Sequence, residues 1–266
     1  MKPNYDLRTI FDQAASDYEK ARPGYPEQLF QDIIAISKIP EHGQILEIGC
    51  GTGQASVPFA EKGYSMICLD IGKELLARAM QNCMAYPKVK FEVSSFEEWQ
   101  ASDATYDLVI SATAFHWIPP DVGYPKAAYV LKDTGYLALF WNYHPTPYTG
   151  FFQAAQAIYR EIVPEWEPAS SHPSAEERIQ QTVSALAGTK LYDPVNVKRY
   201  PWERDYNTQA YLQLLNTYSD HRQLEESRKL CLFGRIGDLI ETQYGGVVKR
   251  PYLTVLYLAK KKSARA

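Results

Sequence analysis

Gly49, Gly51 and Gly53 stand on alternate positions directly after the apolar run Ile45-Leu46-Glu47-Ile48, with Cys50 and Thr52 between them. Apolar residues stopping at a glycine-rich turn read as a buried strand feeding a tight bend. Glycine also lets a ligand approach the backbone closely. Two chemistries compete for such a loop. A dinucleotide site needs GxGxxG, with a pyrophosphate on the helix N-terminus. Here the pattern is GxGxG, position 54 is Gln, and a carboxylate at Glu47 repels phosphate. A carboxylate beside the loop suits a ligand that carries positive charge and no phosphate. A second apolar run ends at Asp70, whose two oxygens can accept from a pair of hydroxyls.

S-adenosylmethionine is a ligand of that kind, with an ammonium, a sulfonium and a ribose. Glu47-Ile48-Gly49-Cys50-Gly51-Thr52-Gly53 resembles the first motif of the class I S-adenosylmethionine-dependent methyltransferases, and the spacing to Asp70 matches that family too. The resemblance implies that Gly49, Cys50, Gly51 and Gly53 surround the cofactor with Glu47 and Ser111, and that Asp70 holds the ribose. Ser95 and Phe96 fall where the family binds the adenine, with Ile71 on its other face. Serine replaces the usual aspartate there, which weakens that contact, and Phe96 reads equally as core. The segment Phe11-Asp12 to Tyr18 and Arg22-Pro23-Gly24-Tyr25-Pro26 resembles a leader that folds over the cofactor in a subgroup of these enzymes. Tyr18 and Arg22 would then face the methionine end, Arg22 pairing its carboxylate; the plain alternative is a surface arginine in a turn.

The stretch Ser111-Ala112-Thr113-Ala114-Phe115-His116-Trp117 before Ile118-Pro119-Pro120 is similar to the trans-aconitate methyltransferase-like, "type 11" small-molecule group. Weaker likeness continues through Phe140-Trp141-Asn142 and Thr217-Tyr218-Ser219. In open α/β sheets ligands sit beyond the carboxyl ends of the strands, so this loop faces the site. Methyl transfer needs alignment and exclusion of water, and a base only where the nucleophile starts protonated. His116 is the candidate base. Its alternative is a histidine fixed by loop hydrogen bonds or lining the cofactor. Trp117, Trp141, Tyr143 and His144, at or just past strand ends, are expected to shape a pocket for a small, flat or carboxylated organic acceptor.

Positioning these groups requires alternating strands and helices. Apolar runs predict strands at 45–48, 64–69, 89–93, 106–111 and 136–141, separated by helices at 54–62, 73–85 and about 121–131. Two helices, one at 8–20 and one carrying Leu29, Ile33, Ile34 and Ile36, precede them. That rhythm means βαβ units with right-handed crossovers. Residues 143–194 break it, being rich in Pro, Tyr and Trp, with a capping box at Ser174 and Glu177 and a helix ending at Gly188. Strands at about 195–204 and 252–258, with helices at 208–218 and 223–242, complete the chain. The expected fold is α/β: a Rossmann-like, doubly wound, seven-stranded sheet, mostly parallel, with an antiparallel last strand and an inserted helical lid. Its parts are a helical cover (1–40), a cofactor-binding core (41–142), the lid (143–194) and a C-terminal portion of the sheet (195–262).

Composition limits the partners. The 266 residues carry a net charge of −3 and no basic patch, so no nucleic-acid partner is expected. No apolar run approaches the ~20 residues that span a bilayer, and the first residues do not begin a signal peptide. Four cysteines without a CxxC pair read as reduced, giving a cytoplasmic expectation, and no metal site is expected. Two rival readings stay open: an NAD(P)-dependent oxidoreductase on a similar sheet, and a non-catalytic S-adenosylmethionine-binding regulator.

Overall fold

Seven strands form one sheet in the order β3-β2-β1-β4-β5-β7-β6. The computed structural model describes residues 21–144, 148–167, 171 and 173–263; the expected helix at 8–20 and Tyr18 lie outside them. Strands β1 (Gln44–Ile48), β2 (Ser65–Asp70), β3 (Val89–Val93), β4 (Tyr106–Ala112) and β5 (Leu131–Tyr143) pair in parallel. β7 (Val247–Lys260) runs antiparallel between β5 and β6 (Asn196–Asn207). This is the expected doubly wound, mostly parallel sheet. The central strands carry Ile45, Leu46, Leu108, Val109, Ile110 and Leu137, all fully buried, as strands covered on both faces must.

One face is covered by α1 (Glu27–Ser37), α2 (Ser56–Ala60) and α3 (Lys73–Asn82), through Leu29, Ile33, Phe59 and Leu76. The other carries α4 (Pro120–Val130), with Tyr124 and Ala127, and α6 (Ala175–Thr189), with Ile179 and Leu186. A third apolar cluster lies at the carboxyl end of the sheet. It joins α5 (Phe151–Ile162), α7 (Thr208–Asn216) and α9 (Glu226–Gln243) to the start of β7, beside the short α8 (Ser219–Arg222). The two helices of segment 143–194 thus separate, α5 packing on α9 and α6 on α4.

Local departures from the sequence reading have local causes. α2 is only five residues long because residues 51–55 are spent on turns before it. Pro58 is its third residue, where the missing N–H has no helical partner to lose. β5 begins at Leu131, earlier than the expected strand at 136–141, and takes in Asp133-Thr134-Gly135 as an irregularity between the pairs Tyr106–Leu131 and Leu108–Tyr136. The capping box at Ser174 forms in both directions, but α6 runs through Gly188 to Thr189, and Lys190 takes the left-handed C-cap.

The β6–β7 ribbon outruns its neighbour in the sheet. β5 stops pairing at Tyr143, opposite Leu253, so residues 247–252 of β7 pair with β6 alone. β7 is antiparallel, so this free end projects past the carboxyl ends of the parallel strands, where ligands bind in such sheets.

Candidate active site

The glycine turn is fixed from below by β2: the Gly49 and Cys50 amides both donate to the Leu69 carbonyl, at 2.8 and 3.0 Å. Gly49 has φ +70°, and a Cβ there would stand 2.4 Å from Cβ of Ala114. Only glycine satisfies both conditions. Asp70 ties this turn to the next one, its Oδ2 accepting from the Gly51 amide and its Oδ1 from the Gly72 amide, each at 2.8 Å. Each carboxylate oxygen keeps capacity for a further donor. Asp70 faces a cavity of about 390 Å³ whose wall includes Gly49, Gly51, Ile71, Ser95 and Phe96. These sequence-predicted residues therefore line one cavity together. Phe96 stacks on Trp99, and the Lys126 ammonium lies 5.3 Å from its ring centroid. Ser95 Oγ accepts from the Glu98 amide at 3.2 Å, which fixes its rotamer at the wall.

Glu47, Ser111 and Gly53 support this wall from behind. Ser111 Oγ donates to the Ile48 carbonyl at 2.8 Å. Gly53 takes φ +89° where the turn enters α2. Glu47 is fully buried; Ser56 Oγ donates to its Oε2 at 2.6 Å, while Oε1 has no partner among the described residues. Burial pushes the carboxyl up to about 8, so at neutral pH it is largely protonated. The negative charge that the sequence led us to expect beside the ligand is absent. The cause is desolvation: the alternation of β1 turns this side chain into the core rather than towards the loop. Cys50 belongs to a neighbouring cavity of about 260 Å³, with Gly49, Gly51 and Gln54. Its thiol is held well above its ordinary range by burial.

Arg22 lines both cavities. Its Nη2 donates to the Thr217 carbonyl at 2.9 Å and its guanidinium lies 4.6 Å from the Tyr218 ring centroid, so the cation is anchored on the cap. Thr113, on the wall of both cavities, is left-handed (φ 57°), an uncommon state for a β-branched residue. Its amide donates to the Phe140 carbonyl at 2.8 Å, and its hydroxyl pairs with that of Tyr25 at 2.8 Å. Backbone strain of this sort clusters at ligand sites.

His116 occupies a 3₁₀ turn, Phe115–Trp117, and lines the larger of these two cavities with Trp117. Trp141 Nε1 donates to His116 Nδ1 at 3.2 Å. An indole is donor only, so the neutral imidazole carries its proton on Nε2. Trp141 and Tyr143 line neither cavity, contrary to expectation. They share the α4 and α6 face of β5, where Trp141 meets Tyr257 edge to face and the Tyr143 and Tyr257 hydroxyls pair at 3.1 Å. Strand alternation turns Asn142, not its neighbours, towards the ligand side, where it lines the smaller cavity. His144, past the strand, lines that cavity and a third, of about 580 Å³.

Two wall residues, Arg250 and Tyr252, carry no local motif in the sequence, and a third, Tyr218, fell within the weaker likeness without a role being assigned to it. Tyr218 follows α7 and lines all three cavities; Arg250 and Tyr252 come from the projecting end of β7. The period-2 pattern Val248, Arg250, Tyr252, Thr254 marks them as inward-facing once the strand's start is known.

Residues 45–135 match a family profile described as a methyltransferase domain. An uncharacterized methyltransferase of Mycobacterium tuberculosis is 30% identical over 52% of this chain and 54% of its own length, so the chain spans about half of that relative. An uncharacterized methyltransferase-like protein of Schizosaccharomyces pombe is 25% identical over the whole of both chains. Among solved structures, a protein described as a candidate type II methyltransferase from Anaeromyxobacter dehalogenans superposes with a TM-score of 0.65 at 20% identity, over 91% of this chain and 99% of that one. The last likeness shows the shared fold.

Proposed function

We propose that the methyltransferase domain at residues 45–135 makes this chain an S-adenosylmethionine-dependent methyltransferase of the class I type, acting on a small organic acceptor. The observation that carries the reading is Asp70, held by two backbone amides at the mouth of the glycine turn and facing a cavity of about 390 Å³. That cavity is lined by both Asp70 and Arg22, an acceptor for hydroxyls and a partner for a carboxylate, which suits a ligand with a ribose and an amino-acid portion. When bound, S-adenosylmethionine supplies a methyl group on a sulfonium, electrophilic without help from the protein. Asp70 would hold the ribose hydroxyls, Ile71, Ser95 and Phe96 would hold the adenine, and the Gly49 to Gly51 backbone would hold the methionine portion. Arg22 pairs the methionine carboxylate through a planar fork already oriented by Thr217 and Tyr218. His116, donating from Nε2, orients groups rather than removing protons. The loop Ser111–Trp117 supports membership of the trans-aconitate methyltransferase-like group.

The oxidoreductase reading is disfavoured by the glycine turn itself, which has Gln54 where the dinucleotide pattern GxGxxG needs its third glycine. Thermal melts separate the two: S-adenosylhomocysteine is expected to raise Tm, and NAD or NADP at equal concentration to leave it unchanged. Asp70→Ala is expected to weaken S-adenosylhomocysteine at least tenfold by calorimetry, a loss of about 1.4 kcal/mol or more. Tight NAD binding, or an unaltered dissociation constant in the variant, overturns the assignment. Methyl transfer from labelled cofactor to pooled carboxylic acids, phenols and quinones then separates an enzyme from a regulator.

A further inference from the structure

Asp220, His221 and Tyr159 form a hydrogen-bonded chain to which cofactor binding gives no task. Asp220 and His221 lie on the short α8, and Tyr159 comes from α5. His221 Nδ1 meets Asp220 Oδ1 at 2.7 Å, and its Nε2 meets the Tyr159 hydroxyl at 2.8 Å. A carboxylate can only accept, so Nδ1 carries a hydrogen; the neutral ring then accepts at Nε2, and Tyr159 donates to it. The His221 amide also donates to Asp220 Oδ1, at 2.8 Å, which fixes the carboxylate against the ring. His221 is 5% exposed; the Trp166 indole meets it edge to face at 5.0 Å and stacks on Tyr159. Burial works against the Asp220 charge, but the His221 hydrogen bond prevails and holds that carboxyl below its ordinary range. A carboxylate, an imidazole and a hydroxyl in this order let the ring take a proton at Nε2 and keep it beside a negative charge.

The chain ends in a space that can hold a reactant. Tyr159 and His221 line the 580 Å³ chamber, and Asp220 lines both it and the cavity that Asp70 faces. Tyr218 does likewise, so the two spaces adjoin there. Tyr148, Phe152 and Trp166 give the chamber flat apolar walls. Arg250 also lines it, 8% exposed, with a buried Nε that has no partner among the described residues. A buried cation with an unused donor favours negative charge that forms next to it. Burial pushes the Tyr159 phenol well above its ordinary range, with Arg250 opposing, so Tyr159 keeps its hydrogen and can pass it on. The other charged groups on the wall are Arg160, Glu167 and Arg178. Its other titratable groups are His144, Tyr148, Tyr211 and Tyr218. None of these bonds to the His221 ring, whose two nitrogens are taken by Asp220 and Tyr159, so a proton leaving Tyr159 has one place to go.

We propose that the acceptor is a phenol bound in this chamber, and that Tyr159 takes its hydroxyl proton while passing its own to His221. The inference rests on the methyl-transfer reading for the fate of the acceptor oxygen, though not for the proton chain. The acceptor O–H bond breaks and its proton goes to Tyr159 Oη, as the Tyr159 hydrogen moves to His221 Nε2. The acceptor oxygen bonds to the methyl carbon, and the carbon–sulfur bond breaks with its electron pair left on sulfur. The products are a methyl ether, S-adenosylhomocysteine and an imidazolium beside Asp220, which releases its proton to water. Tyr159 touches the acceptor; His221 and Asp220 position the phenol of Tyr159 and hold the proton. A phenol, with a pKa of about 10, is protonated at neutral pH and needs such a chain, whereas an aliphatic alcohol is too weak an acid for an imidazole to serve. His116, with its Nδ1 occupied, is left to orient groups.

The test is methyl transfer by the full chain to phenols graded in acidity, in wild type and in Tyr159→Phe, which removes the hydroxyl and keeps the ring. With phenols un-ionised at the assay pH, kcat is expected to fall about a hundredfold or more while KM stays within about threefold. With nitrophenols already ionised, the loss should shrink to less than about threefold. The acid limb of the pH profile should stand at one pH for all phenols in wild type and follow each phenol's own ionisation in the variant. A second readout needs no turnover. Without cofactor, wild type should bind para-nitrophenol as its yellow phenolate at a pH where the free molecule is mostly colourless, and Tyr159→Phe should lose most of that shift. His221→Gln should lose it too, and carries the test if the Phe variant does not fold. S-adenosylhomocysteine affinity should stay within about twofold in both variants. An equal loss for ionised and un-ionised phenols makes Tyr159 a structural residue and overturns the proposal. Wild type that binds S-adenosylhomocysteine and methylates carboxylic acids or amines but no phenol overturns it as well. Wild type that shifts the nitrophenol spectrum but does not bind S-adenosylhomocysteine refutes the methyltransferase reading and leaves the proton chain standing.

Discussion

Glu47 shows how one residue can serve a site without touching its ligand. Its carboxyl lies under the glycine turn, bonded to Ser56 and beside the Cys68 thiol, and burial raises its pKa to about 8 from an ordinary 4.5. Between those two values the folded state holds a proton that the unfolded chain has released, so Glu47 makes stability fall as pH rises. Glu47→Gln keeps the acceptor for Ser56 and removes the titration. The variant is expected to match wild type near pH 5 and to gain on it steadily towards pH 8, by a few kcal/mol. Urea melts at several pH values check this; a constant difference between the two proteins refutes a neutral Glu47. Motif recognition located this residue correctly beside the loop. It could not show that the strand's alternation turns the side chain inward, because an isolated Glu between apolar neighbours looks the same on either face.

At the scale of elements, the decisive feature is how a strand end meets a turn. Trp141, on β5, reaches across to the 3₁₀ turn after β4 and donates to His116 Nδ1. The sequence placed both residues at the carboxyl end of the sheet, but only the pairing of β4 with β5 brings them into contact. On the function proposed above, this bond makes His116 an orienting group. A general base contributes roughly 10²- to 10⁴-fold, whereas a single orienting hydrogen bond of about 1 kcal/mol contributes less than tenfold. With saturating acceptor and cofactor, His116→Ala is expected to lower kcat by less than tenfold and to leave its pH profile unchanged in shape. A hundredfold loss, with disappearance of a limb of that profile, would restore the base.

Across the whole molecule, legibility tracks sequence separation. The parallel half of the sheet could be read because each βαβ unit is assembled from neighbouring residues, and its glycine turn and Asp70 lie 17 to 21 positions apart. The helical cluster at the carboxyl end of the sheet, the cap, could be read only at Arg22, since Tyr218 and Arg250 join it only after β7 returns antiparallel through the sheet. That cap has its own apolar cluster, with Leu214, Leu232, Ile236 and Ile240 fully buried and separate from the two clusters on the faces of the sheet. Ile236→Ala removes atoms from its centre and is expected to cost about 2–5 kcal/mol. Because the clusters are distinct, that loss should appear as local opening rather than uniform loosening. Hydrogen exchange is expected to quicken in α5, α7, α9 and residues 247–252 of β7, and to stay at wild-type rates in β1, β2 and β4. Exchange rising equally in β1 and α9 would mean that cap and sheet open as one unit, and that the cap has no stability of its own to tune.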